Sequence, residues 1–94
     1  MTHYAINIES TAAFEKILEA AGSKPVLADF YASWCPPCMH FKPVFEAMAK
    51  QYEGKAIFVK IDVDVQTQLS ERYEIEAMPT FICFKNSVAK GDPV

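Results

Sequence analysis

The stretch Val26-Leu27-Ala28-Asp29-Phe30-Tyr31-Ala32 is an apolar run broken only by Asp29. A run with no polar alternation suits a strand buried on both faces, the pattern of a largely parallel sheet with helices packed above and below. The flanking segments supply the rest of such a fold. His3 to Ile8 alternates polar and apolar residues and reads as a short strand. Ser10 or Thr11 caps a helix whose Phe14, Ile17, Leu18 and Ala21 fall on one face, and Gly22 ends it with Pro25 beyond. Pro36 to Tyr52 reads as a second helix, with Phe41, Val44, Phe45, Met48, Ala49 and Tyr52 at helical spacing and Pro43 predicting a kink. Ala56 to Val63 is another strand, and Asp64 is positioned to cap a short helix carrying Leu69 and Tyr73. Thr80 to Phe84 is a strand, and Asn86-Ser87 a hairpin-like turn into Val88 and Ala89. The expected order is β-α-β-α-β-α-β-β in one domain over residues 1–94, with parallel neighbours and an antiparallel last pair.

Bulk properties narrow the function classes. The 94 residues are 51% hydrophobic and 22% charged, which suits a packed core rather than a disordered chain. A net charge of −3 without basic clusters argues against nucleic acid or an anionic membrane as partner. No apolar stretch approaches the roughly 20 residues of a membrane span. Met1-Thr2-His3-Tyr4 lacks a basic segment followed by an apolar run, so no secretory signal is expected and the expected compartment is the cytoplasm. Three cysteines, two of them three residues apart, read as a reactive pair plus one spare rather than a disulfide scaffold.

Cys35 and Cys38 stand just after the buried strand and open a helix. Sites in open α/β sheets lie at the carboxyl ends of strands. A helix N-terminus offers unpaired N–H groups and a positive dipole end, which favour a thiolate, the form that attacks disulfides. Pro36 and Pro37 fit the first helical positions, where a missing N–H costs little. If Cys35 is the N-cap, its sulfur accepts from the N–H of Cys38, with one donor fewer than a glycine at position 36 would allow. A zinc site would need two more ligands, and only Cys83, His3 and His40 remain, scattered along the chain. Haem attachment would need His directly after Cys38, where Met39 stands. An inert structural pair is the remaining alternative.

Asp29 is costly to bury ionised, so a raised pKa would make it a proton acceptor; a solvated strand edge is the alternative. Its place six residues before Cys35 favours the first. Lys60, on the other well-formed strand, is either its neighbour or a surface lysine. Met78-Pro79-Thr80 precedes a strand, with proline either trans at the strand start or in a cis bond. Cys83 reads as a buried, unreactive thiol and His40 as surface.

Asp29-Phe30-Tyr31-Ala32-Ser33-Trp34-Cys35-x-Pro37-Cys38, then Lys42-Pro43, Asp62-Val63-Asp64 and Met78-Pro79-Thr80-Phe81, resemble the thioredoxin family in order and spacing from Ile8 to about Asp92. The resemblance implies an α/β thioredoxin fold, a central mixed sheet flanked by helices. It implies Cys35 as nucleophile, Cys38 as resolving thiol, Asp29 as buried proton-transfer carboxylate and Lys60 as its neighbour. Pro79 would be the cis-proline facing the disulfide, and Met78 would dock substrate as a short strand pairing. Trp34 would cover the site and hydrogen-bond Asp64, with Pro36 and Pro37 beside it at the substrate surface. The resemblance further implies a protein-disulfide reductase serving cell redox homeostasis and electron transport. Its partners would be disulfide-containing proteins and an NADPH-dependent thioredoxin reductase, with no cofactor or metal of its own.

Two departures from the family pattern stand out. Pro36 occupies a position that is usually glycine in thioredoxins; a Pro-Pro pair is typical of tryparedoxins and nucleoredoxins, which suggests a different reductant as an alternative. Only ten residues follow Phe84, so the family's final helix is expected to be missing. That expectation carries a rival reading: a shortened binding or regulatory module, self-associating through an uncovered sheet face.

Overall fold

The computed structural model describes residues 3–94. The elements in chain order are β1 (Ile6–Asn7), α1 (Thr11–Ala21), β2 (Val26–Tyr31), α2 (Pro36–Gln51), β3 (Ile57–Asp62), α3 (Thr67–Arg72), β4 (Thr80–Lys85) and β5 (Val88–Lys90). The strands form one mixed sheet in the order β1-β3-β2-β4-β5, with β2 at its centre. β3 runs parallel to β1 and β2, β4 runs antiparallel to β2, and β5 antiparallel to β4.

Strand alternation sorts the core into two layers. Val26, Ala28 and Phe30 point to one face, joining Val59, Ile61, Ile82 and Phe84 beneath Phe14 and Leu18 of α1 and Leu69 of α3. Leu27 and Asp29 point to the other, where Phe45 and Ala49 of α2 pack on Phe58 with Phe41 and Phe81 alongside. The run that reads as doubly buried is doubly buried, and its single carboxylate faces α2.

Helix ends follow local chemistry. Ser10 is the N-cap of α1, its Oγ accepting from Ala13 N at 3.0 Å. Gly22, with φ 56°, closes the same helix and donates to the Glu19 carbonyl. Asn86 and Ser87 both take positive φ, 53° and 65°, as a two-residue hairpin turn between β4 and β5 requires.

Several expectations from the sequence are corrected. The strand anticipated over His3 to Ile8 shrinks to Ile6–Asn7, because the Tyr4 and Ala5 amides donate to the Glu46 carboxylate on α2 instead of to a strand. Asp64 does not cap α3; Gln66 holds the N-cap position without a side-chain bond, and the Asp64 carboxylate is engaged elsewhere. Cys83 is a free thiol but only half-buried, since it lies on the α2 face of β4, out toward the sheet edge. Alternation of strands and helices also suggests that β4 runs parallel to β2, whereas it runs antiparallel; its antiparallel pairing with β5 is as expected. Six residues of α3 rise roughly 9 Å, too little to recross the sheet along six-residue strands. β4 therefore starts at the edge where β3 ended, with Thr80 opposite Phe30.

Among the described residues, no helix is long and apolar enough to cross a membrane.

Candidate active site

The site assembles where β2 ends and α2 begins. Cys35 is the N-cap of α2 in extended conformation, and its Sγ accepts from Cys38 N at 3.3 Å. Pro36 and Pro37 fill the first two helical positions and lack N–H groups, so Cys38 supplies the first backbone donor that the helix can offer the sulfur. With two intervening residues in a helical turn, the Cα atoms of Cys35 and Cys38 lie 5.2 Å apart and the sulfurs are joined as a disulfide. Exposure does not separate the two, at 4% for Cys35 and 2% for Cys38.

Two loops frame the pair. The Met78–Pro79 peptide bond is cis, and the Met78 carbonyl oxygen comes within 3.5 Å of Cys35 Sγ. On the other side Trp34 is 65% exposed, and its indole Nε1 donates to Asp64 Oδ2 at 2.7 Å. The Asp64 amide in turn donates to Asp62 Oδ1 at 2.9 Å, which holds the carboxylate under the indole. Pro36 and Pro37 are exposed, and Pro79 is half-buried.

Behind the cysteines lies Asp29, 3% exposed, with Oδ1 lacking any hydrogen-bond partner. Burial pushes its carboxyl up to about 6, against a smaller opposing pull from the Lys60 ammonium. Lys60 is half-buried and stands opposite Asp29 in the β2·β3 register. A small, partly open cavity of about 40 Å³ joins Asp29, Lys60 and Cys38 to Tyr31, Met39 and Lys42. The carboxyl and the second cysteine therefore line one small cavity, from which the nearly buried Asp29 carboxyl is reached.

The structure brings Asp29, Lys60 and Cys38 together around this cavity, and Trp34, Cys35, Met78 and Pro79 together at the surface. His40 is exposed. Sequence reasoning gave Tyr31 and Lys42 no part in the site. Both were within reach of simple periodicity: Tyr31 is two residues from Asp29 on the same strand face, and Lys42 is four residues from Cys38 on the same helix face.

The family model named Thioredoxin matches residues 5–93, nearly the whole chain. The chain belongs to the thioredoxin family. Human thioredoxin is 41% identical over 85 residues, which span 90% of this chain and 80% of the human protein. The crystal structure of the Nicotiana alata thioredoxin NaTrxh superposes with a TM-score of 0.90 at 30% identity, covering all of this chain and 82% of that one. Oxidised mitochondrial thioredoxin 3 from Saccharomyces cerevisiae gives 0.85 at 27% identity, covering 99% of this chain and 86% of that one. A thioredoxin fold with its Cys-x-x-Cys pair at bonding distance makes this chain a protein thiol–disulfide oxidoreductase.

Proposed function

We propose that the chain reduces protein disulfides by two successive exchanges at Cys35 and Cys38. Thiolate Cys35 attacks one sulfur of a substrate disulfide; the substrate S–S bond breaks, a Cys35–substrate bond forms, and the other substrate sulfur leaves as a thiolate. Cys38 then loses its proton to Asp29 and attacks Cys35 Sγ, which releases the second substrate thiolate and leaves the Cys35–Cys38 disulfide. Two electrons pass from the cysteine pair to the substrate. Lys60 holds the newly charged Asp29 across the strand pair.

The observation that carries this reading is the single backbone N–H of Cys38 directed at Cys35 Sγ from the first turn of α2. It stabilises negative charge on that sulfur and on no other. The Met78 backbone before cis-Pro79 receives an extended substrate segment, with Trp34, Pro36 and Pro37 forming the surface on which it lies. The rival reading as a binding module requires none of the buried machinery behind the cysteines, whereas exchange uses Asp29 and its cavity directly.

Electrons are returned by an NADPH-dependent flavin reductase of the thioredoxin reductase class, in the cytoplasm, as part of electron transport that maintains cell redox balance. NADPH oxidation coupled to reduction of a protein disulfide tests this pairing. Turnover is expected only when both the chain and thioredoxin reductase are present. If the chain, reduced beforehand by a small dithiol, reduces the substrate but draws no NADPH through the reductase, the exchange chemistry stands and the reductase assignment falls.

A further inference from the structure

Asp29 is 3% exposed, and Tyr31 stands between its cavity and a second, wider cleft. The cavity under Cys38 is small. Beyond Tyr31 lies a wider cleft, about 300 Å³, between Asn7–Glu9 on the β1 side and Asp62, Val65 and Gln66 at and after the end of β3. Tyr31 lines both spaces and is the one residue shared between their walls.

Its placement follows from the strand. Tyr31 is two residues beyond Asp29, on the same face of β2, and stands opposite Asp62 in the register with β3. It is half-buried, and its phenol is pushed up by burial first, then by the charges of Asp62 and Asp29. The phenol thus feels both carboxylates, one two residues back on its own strand and one opposite it on β3. The other groups around Asp29 are Lys60 opposite it on β3, Cys38, Met39 and Lys42 from α2, and the apolar Phe81 opposite it on β4, while Asp62 stands opposite Tyr31.

We propose that Tyr31 is a positioning residue of the exchange reaction, its ring the partition that keeps the water of the Asp62–Gln66 cleft from the Asp29 carboxyl. The inference rests on Asp29 as the proton acceptor of Cys38 and adds the side chain that limits the water reaching that acceptor from the wider cleft. The partition is made by the ring, not by the hydroxyl, so phenylalanine serves equally well. A small side chain joins the cleft to the cavity, and a hydrated carboxyl holds its proton less tightly.

The test is the carbon-13 NMR titration of the Asp29 carboxyl in the oxidised protein, where neither Cys35 nor Cys38 titrates. It is run on the unmodified chain, Tyr31→Phe, Tyr31→Ala and Tyr31→Thr; threonine keeps strand propensity while removing the ring. The unmodified chain and Tyr31→Phe are expected to titrate together, near 6. Tyr31→Ala and Tyr31→Thr are expected to titrate at least about one pH unit lower, toward the ordinary carboxylate range. The pH midpoint for resolution of a mixed disulfide should fall in step. If Asp29 titrates high in the unmodified chain and equally high in both small variants, the partition is overturned while Asp29 as acceptor stands. If Asp29 titrates in the ordinary range in the unmodified chain, the acceptor reading falls and the partition falls with it. A Tyr31→Phe midpoint as low as that of Tyr31→Ala would assign the effect to the hydroxyl and overturn the partition.

Discussion

Asp29→Asn is expected to do two opposite things: to slow resolution by Cys38 on the order of 10²-fold or more near neutral pH, and to stabilise the fold at alkaline pH. The first effect is the loss of a positioned base, which typically contributes 10²- to 10⁴-fold. The second follows from linkage. The folded-state carboxyl titrates at about 6 and an unfolded one near its ordinary 3.8, so both states hold the proton below about pH 3 and Asp29 then costs nothing, with only a small cost by pH 4. As pH rises through that window the unfolded chain releases its proton first, and the folded chain must keep a proton or bury a charge. Above about pH 7 this one group has cost the unmodified chain on the order of 3 kcal/mol relative to acid pH, a cost absent from the Asn variant. Urea unfolding of both proteins at pH 4 and pH 8 checks this. The stability difference should be small at the first and should favour the variant at the second; parallel curves across the range would remove Asp29 as a buried, high-pKa group.

The second large effect concerns the seating of α2. Phe45 is 2% exposed and is the large side chain that this helix buries fully against the sheet. Its ring centroid lies 5.1 Å from that of Phe58, 6.0 Å from Phe81 and 6.4 Å from Phe41. Phe45→Ala removes the centre of that cluster and is expected to cost about 3–5 kcal/mol. A domain of this size has in total only about 5–15 kcal/mol of stability, so a large share goes with one ring. Because α2 carries both cysteines at its N-terminus, activity should fall at temperatures where the variant still holds secondary structure. The midpoint of urea unfolding reads the first effect. A change below about 1 kcal/mol would mean that Phe58, Phe81 and Phe41 close the gap by themselves.

Much of this architecture was legible in the sequence, for reasons that can be assigned to particular residues. β2 announced itself through an apolar run with one carboxylate, and α2 through six apolar residues on one stripe, because burial on one or both faces writes a period into the chain. Ser10 and Gly22 marked the ends of α1 by local hydrogen bonding alone. Features set by tertiary placement were not legible. The direction of β4 depends on the end of the sheet at which the chain re-enters, and so on the length of α3 rather than on any residue in β4. Asp64 looked like a cap until the indole of Trp34 claimed its carboxylate. Cys83 looked buried because its neighbours are apolar, but residue type does not reveal how far α2 extends over the sheet. The cysteine pair, Asp29 and Lys60 could be named one by one; the cavity that joins them needed Tyr31 and Lys42 in place.

The exchange mechanism turns on which sulfur attacks. Cys38→Ser leaves Cys35 and the N–H at position 38 in place but removes the group that completes the exchange. When the reduced variant is mixed with a disulfide-bonded protein substrate, intact mass spectrometry followed by peptide mapping should find a one-to-one covalent adduct on Cys35, released by added dithiol. No adduct, or an adduct carried by Cys83 alone, would contradict the assignment of Cys35 as the nucleophile.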